Sequence, residues 1–227
     1  MRTFTEFDSL WAERHVAAQL DHFGHELRAA LAAAPAECEL QWRNARLNHF
    51  RAMKEAEAGD ANLAAALFRD AKTSAEKALK SEPENVAALM WAGACGLEAA
   101  RTHGPLRMAL TLPASRQRLK KAAEISPAFH YAGPLRVLGR IAHLTPGFLG
   151  GNTAKSLDYY KRALKLAPQH PTTMLYVAEA LISAGRFLEA RKTLTHVLEA
   201  AAYPDWIWEQ ERDRRSARSL LHQVPDS

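Results

Sequence analysis

The sequence predicts an all-α protein built from repeated helical hairpins. Alanine and leucine dominate its 227 residues and β-branched residues are sparse, a composition that favours helix over sheet. No segment alternates apolar and polar residues between turn signals, so no strand is predicted. Four segments end alike, each with an amphipathic helix and then a proline that stops it. They are AEKALKSEP (75–83), LKKAAEISP (119–127), YKRALKLAP (160–168) and LTHVLEAAAYP (194–204).

The last of these units has the spacing of a tetratricopeptide repeat. TTMLYVAEALISAGRFLEARKTLTHVLEA predicts a helix, a turn at Gly185 and a second helix, within the 34-residue length of that repeat. The same numbering places Gly93 and Gly139 at position 8, which faces position 24 of the second helix. Leu119 and Tyr160 take position 24. The three earlier hairpins are longer than the repeat, and the excess shrinks toward the C-terminus.

Both ends of the chain are predicted to be helical caps. Residues 8–33 form one amphipathic pattern, with Asp8 or Ser9 as the N-cap. The tail is predicted to form a second capping helix that begins with Asp205, since solenoids need polar-faced terminal caps. The expected organisation is a single domain over 1–227, a tetratricopeptide-like right-handed α-solenoid. It comprises an N-terminal helix within 1–35, hairpins over 40–204 and a C-terminal capping helix over 205–222.

The stretch TPGFLGGNTAKS (145–156) poses a choice between a phosphate-binding loop and a turn. A P-loop needs GxxxxGK[ST] directly after a buried strand. Here three residues separate Gly151 from Lys155, and the preceding LRVLGRIAHL has helical periodicity. We interpret the stretch as a lengthened turn in which Gly150 and Gly151 adopt positive φ and Asn152 or Thr153 caps the next helix. A role in shaping a ligand site stays a hypothesis, because long loops on rigid scaffolds often carry function.

The concave face of the array is the predicted binding surface. Arginine forks bind carboxylates through two hydrogen bonds, so the arginines on this face indicate a partly apolar ligand with an acid group. That ligand is a peptide tail or an organic acid. In the alternative, N-terminal helices or a neighbouring subunit fill the groove, and the arginines pair with Glu98 or Glu179. The candidate binding residues, with the loop glycines, are Arg43, Leu47, Phe50, Met90, Arg136, Arg140, His143, Gly150, Gly151 and Glu179.

No catalytic residue, cofactor or metal site is predicted. Cys38 and Cys95 are far apart and are expected to be buried thiols of a reducing compartment. A reactive Cys95 near His103 is the alternative to a thiol packed at a tight helix crossing. His22 and His25 have a spacing that suits zinc but no matching further ligand. The sequence therefore predicts a protein that is not an enzyme.

Charge and hydropathy limit the partners. The net charge is +5, and its 30 basic residues are interleaved with 25 acidic ones, so no nucleic acid partner is predicted. No run of 18 apolar residues predicts a membrane span. The start shows no signal peptide or lipidation cysteine, so a cytoplasmic location is expected. Exposed tryptophans such as Trp208 leave a homo-oligomer as an open option.

Three segments resemble a known group of cryptic tetratricopeptide proteins. They are WRNAR (42–46), ALKSEPENVAALMWAGACG (78–96) and HYAGPLRVLGRIAHLTPGFLGGNTAKSLDYYKRALKLAPQHPTTMLYVAEAL (130–181). The first tryptophan, the WxAG of the second segment and the LGGN loop carry the likeness, over roughly residues 40 to 222. The chain resembles the T component of TPR-associated TRAP transporters and the regulator of microtubule dynamics family. The resemblance implies an α-solenoid without catalytic activity and, in the transporter group, a trimer with an internal hydrophobic route for a ligand.

Two functions are consistent with the sequence. The favoured one is a non-enzymatic protein-interaction scaffold with an arginine-containing apolar groove for a protein or peptide partner, an acidic one included. The alternative is a ligand-binding accessory protein of a TRAP-type transport system, resembling its T component, with a small apolar acid as ligand.

Overall fold

The computed structural model describes residues 2–225, which form helices and turns and contain no strand. The chain packs as two compact units, Met1–Ser126 and Pro127–Ser227. The single domain over both units stays a prediction. Within the described residues, no helix is long and apolar enough to cross a membrane.

The first unit has six α-helices in its described part. Gly59 ends α3 in the left-handed conformation that glycine tolerates, and the Asp60 side chain caps α4 by accepting from the Leu63 amide at 2.9 Å. These two residues make the turn between α3 and α4. The helices are α1 (Phe4–Ala12), α2 (Ala17–Ala33), α3 (Cys38–Ala58), α4 (Ala61–Ser81), α5 (Val86–Arg101) and α6 (Pro105–Ile125).

The prediction of one N-terminal helix over 8–33 is wrong. Helix α1 begins at Phe4, because Thr3 and Glu6 form a reciprocal capping box before it. The chain then turns, with the Val16 amide donating to the Glu13 carbonyl at 3.0 Å, and α2 follows. Asp8 is therefore not an N-cap but an interior residue of α1, free to reach across to α3.

The second unit holds two hairpins and a terminal helix. Helix α11 packs on α9 and α10 around a core that includes Leu175, Leu194 and Ala217. The predicted Asp205 cap is wrong: α11 follows a 3-10 turn at Pro204–Trp206, and the Asp205 carboxylate accepts from the Tyr131 hydroxyl instead. The helices are α7 (Phe129–Leu144), α8 (Thr153–Leu166), α9 (Pro171–Ser183), α10 (Phe187–Glu199) and α11 (Ile207–Gln223).

Close helix crossings lie where the repeat numbering predicts them. A Cβ on Gly93 would lie 2.7 Å from Leu119, and one on Gly139 would lie 2.4 Å from the Tyr160 ring. In these two hairpins position 8 is glycine because a side chain there would clash with the facing helix. The extra length takes two forms: in the first two hairpins it lengthens α3, α4 and α6 to 21 residues each, and in the third it forms the loop over 145–152.

Candidate functional site

The groove residues predicted in the first unit are covered by the chain itself. Helix α1 lies on α3, where the Trp11 and Phe50 ring centroids are 5.6 Å apart. The Asp8 carboxylate accepts from Arg43 at 2.6 Å. This surface is therefore closed in the structure. The candidates concerned, each at most 3% exposed, are Arg43, Leu47, Phe50 and Met90.

The Arg140 side chain is partly exposed in the second unit. It lies on α7 and forms an ion pair with Glu179 on α9, and the two side chains are 29% and 23% exposed. The guanidinium also lies 4.2 Å from the ring centroid of Tyr176. Burial lowers the pKa of Arg140, but Tyr176 and Glu179 outweigh this effect and raise it overall. Arg140 is thus a fixed cation that solvent and ligands can reach.

His143 extends this polar surface by one helical turn. Its Nε2 and the Ser183 hydroxyl are 2.9 Å apart, so a second polar pair joins α7 to α9. Its Nδ1 is buried and has no hydrogen-bond partner among the described residues. Burial and the charge of Arg140 lower the pKa of His143, which keeps the imidazole neutral near pH 7.

Arg136 lies inside the fold. Its guanidinium donates to the carbonyl of Tyr131 at 2.8 Å and to that of His130 at 3.5 Å, and it stacks on Trp206. Pro134 has no N–H to give to the His130 carbonyl four residues before it, so Arg136 supplies donors in its place. Arg136 therefore supports the start of α7, although its sequence position suggested a ligand-binding role beside Arg140.

The start of α7 is strained. His130, Tyr131 and Ala132 have φ values of 51°, 55° and 58°, a left-handed conformation that costs roughly 1–2 kcal/mol per non-glycine residue. The turn brings the Tyr131 ring to 5.7 Å from His170 and 5.6 Å from Trp206. Tyr131, His170, Tyr203 and Trp206 form what we call the aromatic cluster, and no sequence pattern predicted it.

The glycine loop is a turn between α7 and α8, as the sequence suggested. Gly150 has a φ of 83°, and Asn152 caps α8 by accepting from the Lys155 amide at 2.8 Å. Gly151 does not have the positive φ that was expected. Glycine is required there because a Cβ would lie 1.6 Å from the Thr145 carbonyl oxygen.

The sequence reasoning missed Tyr176. It lies three residues before Glu179 on α9, so helical spacing places both on one face, and this signal was available. Leu144 lies one turn beyond Arg140 and is exposed. A charged fork beside an aromatic ring and an exposed leucine suits a ligand that has both a carboxylate and an apolar part.

His170 gives the second unit a predicted pH dependence. The ring is fully buried in the aromatic cluster, and burial together with Arg136 lowers its pKa to about 2. The unfolded chain binds a proton below pH 6.5 and the folded chain does not, so stability falls as pH falls. We expect the free energy of unfolding to drop by about 2 kcal/mol between pH 7 and pH 5 from this group.

Urea unfolding at both pH values measures this effect. The loss of unfolding free energy between pH 7 and pH 5 should be about 2 kcal/mol smaller in His170→Gln than in the unmodified chain. His196 is exposed on α10, so His196→Gln should show the same loss as the unmodified chain. An unchanged pH difference in His170→Gln would contradict the account.

Both cysteines are buried within helices. Cys38 and Cys95 are free and buried. Burial raises the pKa of Cys38 to about 12 and also raises that of Cys95, so both remain protonated at neutral pH. Among residues 2–225, no three His, Cys, Asp or Glu side chains are grouped to hold a metal ion.

Residues 9–226 match the family model of the TRAP transporter T-component. The chain belongs to the TRAP transporter T-component family. No curated protein matches it. The expected resemblance to this family is confirmed.

Solved structures of low sequence identity share the fold. TTC0263, a thermophilic TPR protein of Thermus thermophilus, is 18% identical with a TM-score of 0.66, over 97% of this chain and 98% of that one. PilF of Pseudomonas aeruginosa is 17% identical with a TM-score of 0.53, over 99% of this chain and 93% of that one. The all-α, tetratricopeptide-like class predicted from the repeats is thereby confirmed.

Proposed function

We propose that this T-component family member is a non-enzymatic binding protein, an accessory of a TRAP-type transport system that holds a small apolar acid on the second unit. Family membership supports the transport role. The observation that carries the binding site is Arg140, charged and partly exposed beside Tyr176 on the face shared by α7 and α9.

The site binds an acid on the side of the Arg140 guanidinium that Glu179 leaves open. In the free protein Glu179 occupies the Arg140 fork, so the arginine keeps its charge and its orientation. A ligand carboxylate takes the exposed side of the same fork, and the ligand's apolar part lies toward Tyr176 and Leu144. Neutral His143 adds a hydrogen-bonding group.

An acidic peptide tail is the second candidate ligand and makes the protein an interaction scaffold. The likeness to TPR proteins supports it. So does Phe148, which is 88% exposed at the tip of the 145–152 loop and offers an apolar contact to a protein partner. Cytoplasmic location and self-association stay predictions.

Calorimetric titration with octanoate, a carboxylate with a short apolar chain, tests the site. We expect Arg140→Ala to bind at least about tenfold more weakly than the unmodified chain, because it loses a charge-assisted fork. The matched control is Arg186→Ala, which removes an arginine from the exposed Arg186–Glu189 pair of α10 and should leave affinity unchanged. Equal affinity in a folded Arg140→Ala chain would contradict the site. Tighter binding of an acidic peptide than of octanoate would favour the scaffold.

A further inference from the structure

Helix α6 exposes two leucines on the side that points away from the core. Its buried side packs on α5, where Ser115 and Leu119 lie against Gly93. Leu106 and Leu110 are 76% and 67% exposed, although leucine is usually buried. Four positions separate these two leucines, so their side chains are neighbours on the helix surface and form one apolar area.

The first half of α6 extends this apolar area. Pro113 and Ala114 follow Leu110 and are also exposed. Arg107 is the one charged residue between positions 105 and 115. At 3.6 residues per turn, Arg107 lies at the edge of the leucine surface and not in its centre. This half of the helix therefore shows solvent an uncharged face that has a cation beside it.

The second half of α6 is strongly basic. The helix contains five arginines and lysines, whereas its single acidic residue, Glu124, lies in the last turn, away from the leucines. Lys121 pairs with Glu84 of the preceding turn at 2.7 Å. Three of the five cations form no ion pair within the described part of the chain: Arg107, Arg118 and Lys120. Helical spacing places the two arginines on one flank of the exposed leucines and the lysine on the other.

This arrangement fits a lipid surface that carries negative charge. A helix on such a surface inserts apolar side chains at the headgroup boundary, while its cations attract anionic lipids. Arginine and lysine on the flanks suit this position because their aliphatic stems can lie along apolar surface while the charge stays in water. A stable protein interface takes about 20–30 residues a side, far more than this narrow face offers.

We propose that the outward face of α6 is a contact site for an anionic membrane surface, with Leu106 and Leu110 at the headgroup boundary and Arg107, Arg118 and Lys120 paired with lipid phosphates. The helix needs no folding on binding, because its other side already holds it on α5. Each cation near an anionic surface strengthens binding by about fivefold, so the three together supply much of the affinity.

Vesicle cosedimentation of the full chain tests this site, at about 0.1 M salt so that exposed charges still attract. The vesicles are phosphatidylcholine with about one third phosphatidylglycerol, compared with phosphatidylcholine alone. We expect the unmodified chain to bind the anionic vesicles at least about tenfold more tightly than the neutral ones. Leu106→Ser with Leu110→Ser should weaken binding at least about tenfold, as should Arg107→Ala with Lys120→Ala.

Matched controls change the same residue types elsewhere on the surface. Leu188→Ser alters a leucine of α10 that is 60% exposed. Lys161→Ala with Lys165→Ala removes two exposed lysines of α8. Both controls should bind the anionic vesicles as the unmodified chain does, and circular dichroism checks that every variant is as helical as the unmodified chain.

Three results would overturn the proposal. One is an unmodified chain that does not bind the anionic vesicles, or binds both kinds equally. Another is a loss in the control variants as large as in the α6 variants, since the contact would not then be specific to this face. The third is a dimer of the unmodified chain in sedimentation velocity that Leu106→Ser with Leu110→Ser dissociates, because a second copy would then cover the leucines.

Discussion

Asp213→Ala is expected to lower the free energy of unfolding by about 3–5 kcal/mol, the cost of breaking a buried ion pair by removing one partner. Asp213 is fully buried on α11 and accepts from Arg212 at 2.7 and 3.1 Å. It also accepts from the Thr172 hydroxyl, which in turn receives the Trp206 indole N–H at 2.9 Å. One carboxylate therefore fixes α11 to the start of α9.

Urea unfolding measures this loss, and Asp158→Ala is the control. Asp158 is exposed on α8, so its removal should change the free energy of unfolding by less than about 0.5 kcal/mol. A loss below about 1 kcal/mol in Asp213→Ala would show that this network does not hold α11 in place.

Gly151→Ala is expected to destabilise the second unit by about 3 kcal/mol, at the upper end of overpacking effects. The new Cβ would lie 1.6 Å from the oxygen and 2.6 Å from the carbon of the Thr145 carbonyl, which are backbone atoms that no rotamer change can move. The loop must open, which breaks the hydrogen bond from the Asn152 amide to the Ala142 carbonyl at 2.7 Å.

Gly147→Ala is the matched control in the same loop. A Cβ at Gly147 meets nothing within 4 Å, so this variant should unfold at nearly the same urea concentration as the unmodified chain. Equal stability of the two alanine variants would mean that the loop does not adopt the described conformation.

Much of the fold follows from the repeat numbering. Gly93 and Gly139 share a repeat position, and each lies against the residue assigned to position 24. This is expected because the closest approach of the two helices recurs at the same position in each helical hairpin. The Asn152 cap was also predictable, since capping is a local interaction that depends on one side chain.

The ends of the chain were less predictable, for physical reasons. The apolar pattern over 8–33 continues through the break between α1 and α2, so periodicity alone cannot detect the turn at 13–16. The Thr3–Glu6 capping box was the available signal. The contact of Asp8 with Arg43 and Arg46 joins residues more than 30 positions apart, and local patterns do not report such pairs.

In the candidate site, too, some contacts were predictable from the sequence and others were not. Helical spacing placed Arg140 and Glu179 on facing helices, and the structure joins them. Helical spacing also predicted that Arg136 binds a ligand, but its guanidinium donates to backbone carbonyls instead. It does so because Pro134 lacks an N–H and the turn at 130–132 leaves carbonyls without helical partners. The repeat position predicts the helix face on which a side chain lies. It does not predict whether that side chain forms its hydrogen bonds within the protein.

Native mass spectrometry of the purified chain tests the central claim most directly, because it detects a retained ligand whatever the identity of that ligand. The account predicts that the unmodified chain and Arg186→Ala carry a small acid, identified after release, and that a folded Arg140→Ala chain does not. An unmodified chain without any retained molecule, or the same molecule bound equally to Arg140→Ala, would contradict it.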